Sequence, residues 1–205
     1  MSIFNEWLED VWASKPQLLP FDTRVEAIHY KIPLVDTTVV RAIESSKTGP
    51  WICGGACLRW YQGQQITDCG ADIDVYVASQ KQVEEVTQRL SSLKGFHVVT
   101  TTNNAITCRI RDGHEITIQI ITKLIISKPT TIKDVIDTFD MSVCKVGFDG
   151  SDFYMASEHF FDDARTKTIR MDAPYQKGAL TRVLKYMSQG YKPVPGLFND
   201  LLDCD

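Results

Sequence analysis

Two aspartates set two residues apart, in Asp72-Ile73-Asp74-Val75-Tyr76-Val77, are the residues of this sequence best suited to chemistry. The run alternates acid and apolar residues, which predicts a strand, and side chains two apart on a strand share one face. The two carboxylates then lie roughly 6–7 Å apart. At an effective dielectric near 20, two such charges repel by about 2–3 kcal/mol. Aspartate is also a poor strand former. Left alone the pair costs stability; with one or two Mg²⁺ ions it becomes a hard-oxygen metal site, completed by phosphate oxygens of a substrate. The same acids would serve an edge strand that uses charge to resist aggregation, so the pair by itself leaves both readings open.

A second feature stands upstream. Trp51-Ile52-Cys53 reads as a short apolar strand, Gly54-Gly55 follows at once, and residues 56–61 read as a short helix. Two glycines between a strand and a helix let the backbone approach a ligand closely and turn amide groups toward phosphate. A tight turn with no ligand is the plain alternative. Strand, Gly-Gly, helix and then an Asp-x-Asp strand is a rarer conjunction than either part.

Gly54-Gly55-Ala56-Cys57-Leu58-Arg59 followed by Asp72-Ile73-Asp74-Val75 resembles the signature of the DNA-polymerase-beta-type nucleotidyltransferases, in its tRNA nucleotidyltransferase-like version. The resemblance covers residues 51–77. It implies a glycine turn that holds a nucleoside triphosphate and two strand aspartates that bind two catalytic Mg²⁺ ions, with Mn²⁺ as the alternative metal. Weaker similarity to viral and phage nucleotidyltransferase-like proteins extends to Gln119 in Ile118-Gln119-Ile120-Ile121, to Phe139-Asp140-Met141-Ser142-Val143-Cys144, and to Arg182 with Lys185-Tyr186.

Two departures from the motif matter. Sixteen residues, 56–71, separate Gly55 from Asp72, so the loop at 62–70 is expected to be extended. The superfamily also places a third carboxylate on a neighbouring strand, and the strand expected at 115–122 offers Gln119 there. An amide can coordinate through oxygen, but it carries no charge and cannot act as a base. Glu115 shares the Thr117/Gln119 face at the strand start, where a solvated hairpin acid is equally expected. Asp140 opens the following strand and completes the expected catalytic set with Asp72 and Asp74, unless it is only a turn residue. The expected nucleotide-binding set is Gly54, Gly55, Arg59, Gln119, Arg182 and Lys185. Arg59 stands one helical turn beyond the glycines. Arg182 and Lys185 share a helix face at i, i+3, where an ordinary solvated basic face is the alternative.

The elements that must position these residues predict an α+β chain, with a mixed sheet flanked by helices and helical segments at both ends. Phe4, Trp7, Leu8, Val11 and Trp12 recur at helical spacing behind Ser2, residues 22–30 read as a second helix, and Asp36 reads as the cap of a third. An amphipathic helix is expected over residues 80–93, and strands over 96–111 (interrupted near Asn103-Asn104) and 115–122, with Asp112-Gly113 as the hairpin turn. A short helix at 132–139, a strand at 141–148 and helices beyond Ser151 complete the reading. It divides the chain into an N-terminal helical segment (1–33), a nucleotidyltransferase-like core (34–150) and a C-terminal helical extension (151–205).

Composition narrows the classes. The 205 residues carry 22 Lys+Arg against 26 Asp+Glu, a net charge of −4, so a generally basic nucleic-acid coat is excluded and any nucleic acid must meet a local groove. No apolar run is long enough to span a membrane, and Glu6, Glu9 and Asp10 oppose the sign of a signal-peptide start. Six scattered cysteines suit buried thiols in a reducing compartment, so the cytoplasm is expected. A zinc reading of Cys53, Cys57 and Cys69 lacks a close Cys-x-x-Cys or histidine partner. The four histidines sit near no credible nucleophile. The expectation is Mg²⁺-dependent transfer of a nucleotidyl group from a nucleoside triphosphate to a hydroxyl of RNA, DNA or protein. The alternative is a degenerate module of the same fold that only binds nucleotide, RNA or a protein partner.

Overall fold

The computed structural model describes residues 23–26, 32–69, 71–173 and 178–202. The helix expected behind Ser2 lies outside the described residues. An eight-stranded mixed sheet organises the rest. In chain order its strands are β1 (Thr23–Glu26), β2 (Trp51–Cys53), β3 (Asp72–Tyr76), β4 (Phe96–Thr101), β5 (Ala105–Asp112), β6 (His114–Ile121), β7 (Val146–Phe148) and β8 (Asp152–Met155). Their spatial order is β1-β8-β7-β2-β3-β6-β5-β4. All neighbours run antiparallel except β3 and β6, which are parallel. The sheet thus takes in a strand on either side of residues 34–150.

The helices are α1 (Leu34–Ile43), α2 (Gly55–Tyr61), α3 (Ile66–Cys69), α4 (Gln80–Ser91), α5 (Ile132–Ile136), α6 (Phe160–Thr166), α7 (Ala179–Ser188) and α8 (Leu197–Leu202). A two-strand ribbon, β9 (Thr168–Ile169) with β10 (Lys192–Pro193), ties the C-terminal helices together. The main core lies on one face of the sheet, where Ile52, Ile73, Val75, Ile118 and Ile120 meet Leu58 and Trp60 of α2 and Val83, Val86 and Leu90 of α4. On the other face a smaller cluster packs Trp51, Cys53, Tyr76 and Ile121 under Ile132, Val135 and Ile136 of α5. That cover ends before the N-terminal half of β3. The period of two therefore puts Ile73 and Val75 in the main core and leaves Asp72 and Asp74 half-buried on the partly covered face.

Some local expectations give way to tertiary contacts. Residues 23–26 form a strand where a helix was expected, because β8 offers them an edge. Asp36 does not cap α1; the helix starts two residues earlier behind Pro33. Asp36 is buried instead, and its Oδ2 accepts from Trp60 Nε1 at 2.8 Å and the Ile66 amide at 3.1 Å. The loop at 62–70 contains the short helix α3. Residues 142–144 make a 3₁₀ turn and not a strand, since the Ser142 hydroxyl donates to buried Asp163 at 2.7 Å. The chain beyond Ser151 begins with β8 and not a helix. Asp149 Oδ1 accepts from the Ser151 and Asp152 amides, and Gly150, at φ 94°, passes so close to the Ser45 carbonyl that no Cβ would fit.

Candidate active site

Asp72 and Asp74 stand on one face of β3, and the parallel register with β6 sets Asp72 beside Thr117 and Asp74 beside Gln119. Gln119 does not stand apart from the acids. Its Nε2 donates to Asp72 Oδ2 at 2.9 Å, which fixes the orientation of that carboxylate and leaves the amide oxygen available.

The two acids differ in environment. Burial pushes the Asp74 carboxyl up to about 7, the negative charge of Asp72 adds to the rise, and the positive charges of Lys185 and Lys123 oppose it. Burial and Asp74 also raise the thiols of Cys53 and Cys57 and the phenol of Tyr76. These groups stay neutral, so none of them is a nucleophile at neutral pH. The Cys57 thiol donates to the Ile52 carbonyl at 3.2 Å, a packing role.

The glycine pair sits at the end of β2, next to β3 in the sheet. Gly54 adopts φ 80° and ψ −133°, a conformation that side chains disfavour, and its amide donates to the Val146 carbonyl at 2.8 Å. Gly55 begins α2. A Cβ there would lie 3.7 Å from the Tyr186 hydroxyl, and one at Gly54 would lie 3.7 Å from Phe139, so the bend faces a wall made by α7 and the segment after α5. The Cys144 thiol meets the Tyr186 hydroxyl at 3.2 Å and completes this wall.

Helix α7 delivers the basic residues. Arg182 pairs with buried Asp140, and the charge of Lys185 reaches Asp74. The fold thus gathers Gly54, Gly55, Asp72, Asp74, Gln119, Asp140, Arg182 and Lys185 from distant parts of the sequence. Arg59 stands one layer behind: it is buried, and its guanidinium bonds Gln64 and Gln189 at the end of α7. Glu115 lies at the far end of β6, bound to Arg111 with Arg109 at 3.6 Å, which holds its carboxyl below the usual range. Lys123 was not legible as a site residue, since no spacing links it to Asp74; it arrives because β6 runs parallel to β3. A cleft of about 510 Å³ opens beside Lys123, between α4 and Asn103-Asn104 of the β4–β5 turn, and includes neither aspartate.

Asp72 and Asp74, with the free oxygen of Gln119, make a donor set of the kind Mg²⁺ uses: one or two carboxylates, with the remaining positions left to water and phosphate. The raised Asp74 carboxyl is what burial beside a second acid should show. Among the described residues no group of three or more His, Cys, Asp or Glu side chains converges to hold a metal. Gln119, an uncharged amide, stands in register with Asp74 on the neighbouring strand, and Asp140 is engaged with Arg182.

The fold matches solved structures of CCA-adding enzymes. A complex with ATP superimposes with a TM-score of 0.58 at 15% identity over 87% of this chain, and a complex with CTP with 0.57 at 14% identity, also over 87%. The Thermotoga maritima enzyme complexed with tRNA gives 0.53 at 13% identity over 87%. This chain spans only 44–45% of the length of those proteins. The sheet with its flanking helices is therefore the DNA-polymerase-beta-type nucleotidyltransferase fold. No helix among the described residues is long and apolar enough to cross a membrane. No curated protein matches the sequence. The model of the Gabija anti-defense 2 family matches residues 27–167, well over half of the chain, and the protein belongs to that family.

Proposed function

We propose that the protein transfers a nucleotidyl group from a nucleoside triphosphate to an acceptor hydroxyl, with Asp72 and Asp74 as the carboxylates that hold Mg²⁺. The observation that carries this reading is the placement of a half-buried, mutually repelling acid pair beside a glycine bend and a basic helix. In the reaction the acceptor hydroxyl loses its proton to solvent, its oxygen bonds to the α-phosphorus, the bond from that phosphorus to the bridging oxygen breaks, and pyrophosphate leaves. Bound Mg²⁺ supplies charge neutralisation for the phosphates and for the developing charge of in-line attack. Gln119 keeps Asp72 oriented. The Gly54–Gly55 backbone admits phosphate without a side chain in the way. Lys185 offers positive charge across from Asp74, and Asp140 acts through Arg182 by holding its guanidinium in place. Arg59 braces the far end of α7 through Gln189.

One observation favours the second reading, a module that binds nucleotide, RNA or a protein without turnover. Gln119 occupies the neighbouring-strand position and cannot accept the hydroxyl proton. Incubation with Mg²⁺, each labelled triphosphate and RNA, DNA or protein acceptors separates the readings. The family name sets the protein against Gabija, so Gabija components belong among the acceptors. Label transfer by the wild type and none by Asp72→Ala/Asp74→Ala supports the enzyme, whereas triphosphate binding without transfer supports the module.

A further inference from the structure

The face of the sheet that carries the acid pair does not end at β3. Strand register continues it in two rows, Asp72–Thr117–Arg109–His97 and Asp74–Gln119–Thr107–Thr100, across β6, β5 and β4. The period of two holds these residues on one face, while Ile73, Ile118, Ile116 and Ile110 between them turn to the main core. Strands lie about 4.8 Å apart, so the backbone of Arg109 stands roughly 10 Å from that of Asp72. Thr117, Arg109, His97, Gln119 and Thr107 are half-buried and Thr100 is exposed. Neither row contains an aliphatic or aromatic hydrocarbon side chain.

Positive charge on this face exceeds negative. Arg109 and Arg111 share one acid, Glu115. Arg111 takes its hydrogen bond, and Arg109 is left with its Nε 3.6 Å from Glu115 Oε1. Among the described residues that Nε is buried without a hydrogen-bond partner, while the side chain as a whole is 37% exposed. A guanidinium with donors to spare beside a row of threonines is suited to phosphate and sugar oxygens. A protein partner would call for an apolar centre to its interface, which the two rows lack.

The surroundings of the acid pair leave this direction open. Toward β2, Tyr186 and Phe139 bound the glycine bend. Phe139 also lies against Tyr76, with 5.5 Å between ring centroids, so the cover closes on β3 just beyond Asp74. A long acceptor that places a terminal hydroxyl at the acids can leave them over β6 and β5.

We propose that the acceptor is a nucleic-acid strand and that the open face of β6, β5 and β4 is its bed, with the sugar–phosphate backbone leaving the acid pair along the Thr117–Arg109–His97 row and Arg109 holding a phosphate. This rests on the nucleotidyl-transfer reading of the site and names the class of its second substrate.

The test follows binding of short single-stranded RNA and DNA oligonucleotides by fluorescence anisotropy over a range of salt, beside calorimetry of the four nucleoside triphosphates with Mg²⁺. Wild type should bind RNA or DNA. Arg109→Gln should bind it about tenfold more weakly at low salt, and the slope of log affinity against log salt should flatten by about 0.7, the share of one phosphate. Thr100→Glu adds an anion at the exposed edge of the same face and should weaken oligonucleotide binding; Thr101→Glu, exposed on the opposite face, should not. All three variants should keep the wild-type affinity for triphosphate. Unchanged oligonucleotide affinity in Arg109→Gln, or equal effects of Thr100→Glu and Thr101→Glu, overturns the bed; should Arg109→Gln fail to fold, the threonine pair decides. Wild type that binds triphosphate but neither RNA nor DNA, or that labels a protein in their place, overturns the nucleic-acid acceptor and leaves the nucleotide reading standing. Failure of every triphosphate to bind wild type removes the nucleotide reading, and the acceptor bed with it.

Discussion

Gln119 donates its side-chain amide to Asp72 at 2.9 Å across the parallel β3–β6 pair while standing in register with Asp74. One amide therefore orients one acid and stands opposite the other.

Replacing that amide by an acid should restore the missing charge. Gln119→Glu puts a third carboxylate beside two others, so without metal it should lower stability by about 1–2 kcal/mol, or roughly 2–8 °C in melting temperature. Millimolar Mg²⁺ should reverse the loss, and nucleotidyl transfer should rise at least tenfold if the missing carboxylate limits turnover. Gln119→Leu leaves Asp72 without its donor and should weaken Mg²⁺ affinity. Melting curves with and without Mg²⁺, together with label transfer, check both variants.

The raised Asp74 carboxyl makes a prediction about pH. Its folded value of about 7 lies above the ordinary 3.8, so between these limits the folded protein binds the proton more tightly than the unfolded chain. The contribution to stability is complete below about pH 3.8 and is lost as pH rises through 7. In metal-free buffer, the melting temperature of wild type relative to Asp74→Asn should fall between pH 5.5 and 8.5. Mg²⁺ should stabilise wild type more at pH 8.5 than at pH 5.5. A wild-type-minus-variant difference that is flat with pH contradicts this.

The Asp140–Arg182 pair should reveal itself by asymmetry. Asp140 is 4% exposed, so Arg182→Met strands a buried carboxylate. The expected cost is about 2–3 kcal/mol, below the range for fully buried pairs because the arginine side chain is 37% exposed. Asp140→Asn/Arg182→Met should recover most of it, as urea unfolding of the three proteins will show.

The two glycines should respond differently to alanine. Gly54→Ala forces a side chain into φ 80°, ψ −133°, at a cost of about 1–3 kcal/mol, although the nearest side chain leaves ample room. Gly55→Ala lies in a helix, and its new methyl group meets the Tyr186 hydroxyl at an ordinary 3.7 Å. It should keep its melting temperature within about 1 °C and lose triphosphate affinity, because the methyl group narrows the approach to the bend.

The elements that carry the candidate site were largely legible where the pattern is local. The strand–Gly-Gly–helix and Asp-x-Asp runs fall on β2, the bend, α2 and β3 as expected, because each needs only its own residues to be recognised. Residues whose roles depend on partners far along the chain were harder to read. Asp36 carries a capping residue type, yet its Oδ2 serves Trp60 and Ile66, 24 and 30 positions away. Residues 142–144 carry a strand-like period that the Ser142–Asp163 bond overrides, and β8 forms because Asp149 reverses the chain. Arg59 sits where a phosphate clamp belongs in sequence, but Gln189, 130 residues on, takes its guanidinium.

The most direct measurement is calorimetric titration of the four nucleoside triphosphates into the protein with Mg²⁺, for wild type and for Asp72→Asn/Asp74→Asn. At least one triphosphate should bind the wild type only when Mg²⁺ is present, and the double variant, folded by circular dichroism, should bind it at least a hundredfold more weakly. Absence of binding to the wild type by all four, or equal binding by the double variant, would contradict the account.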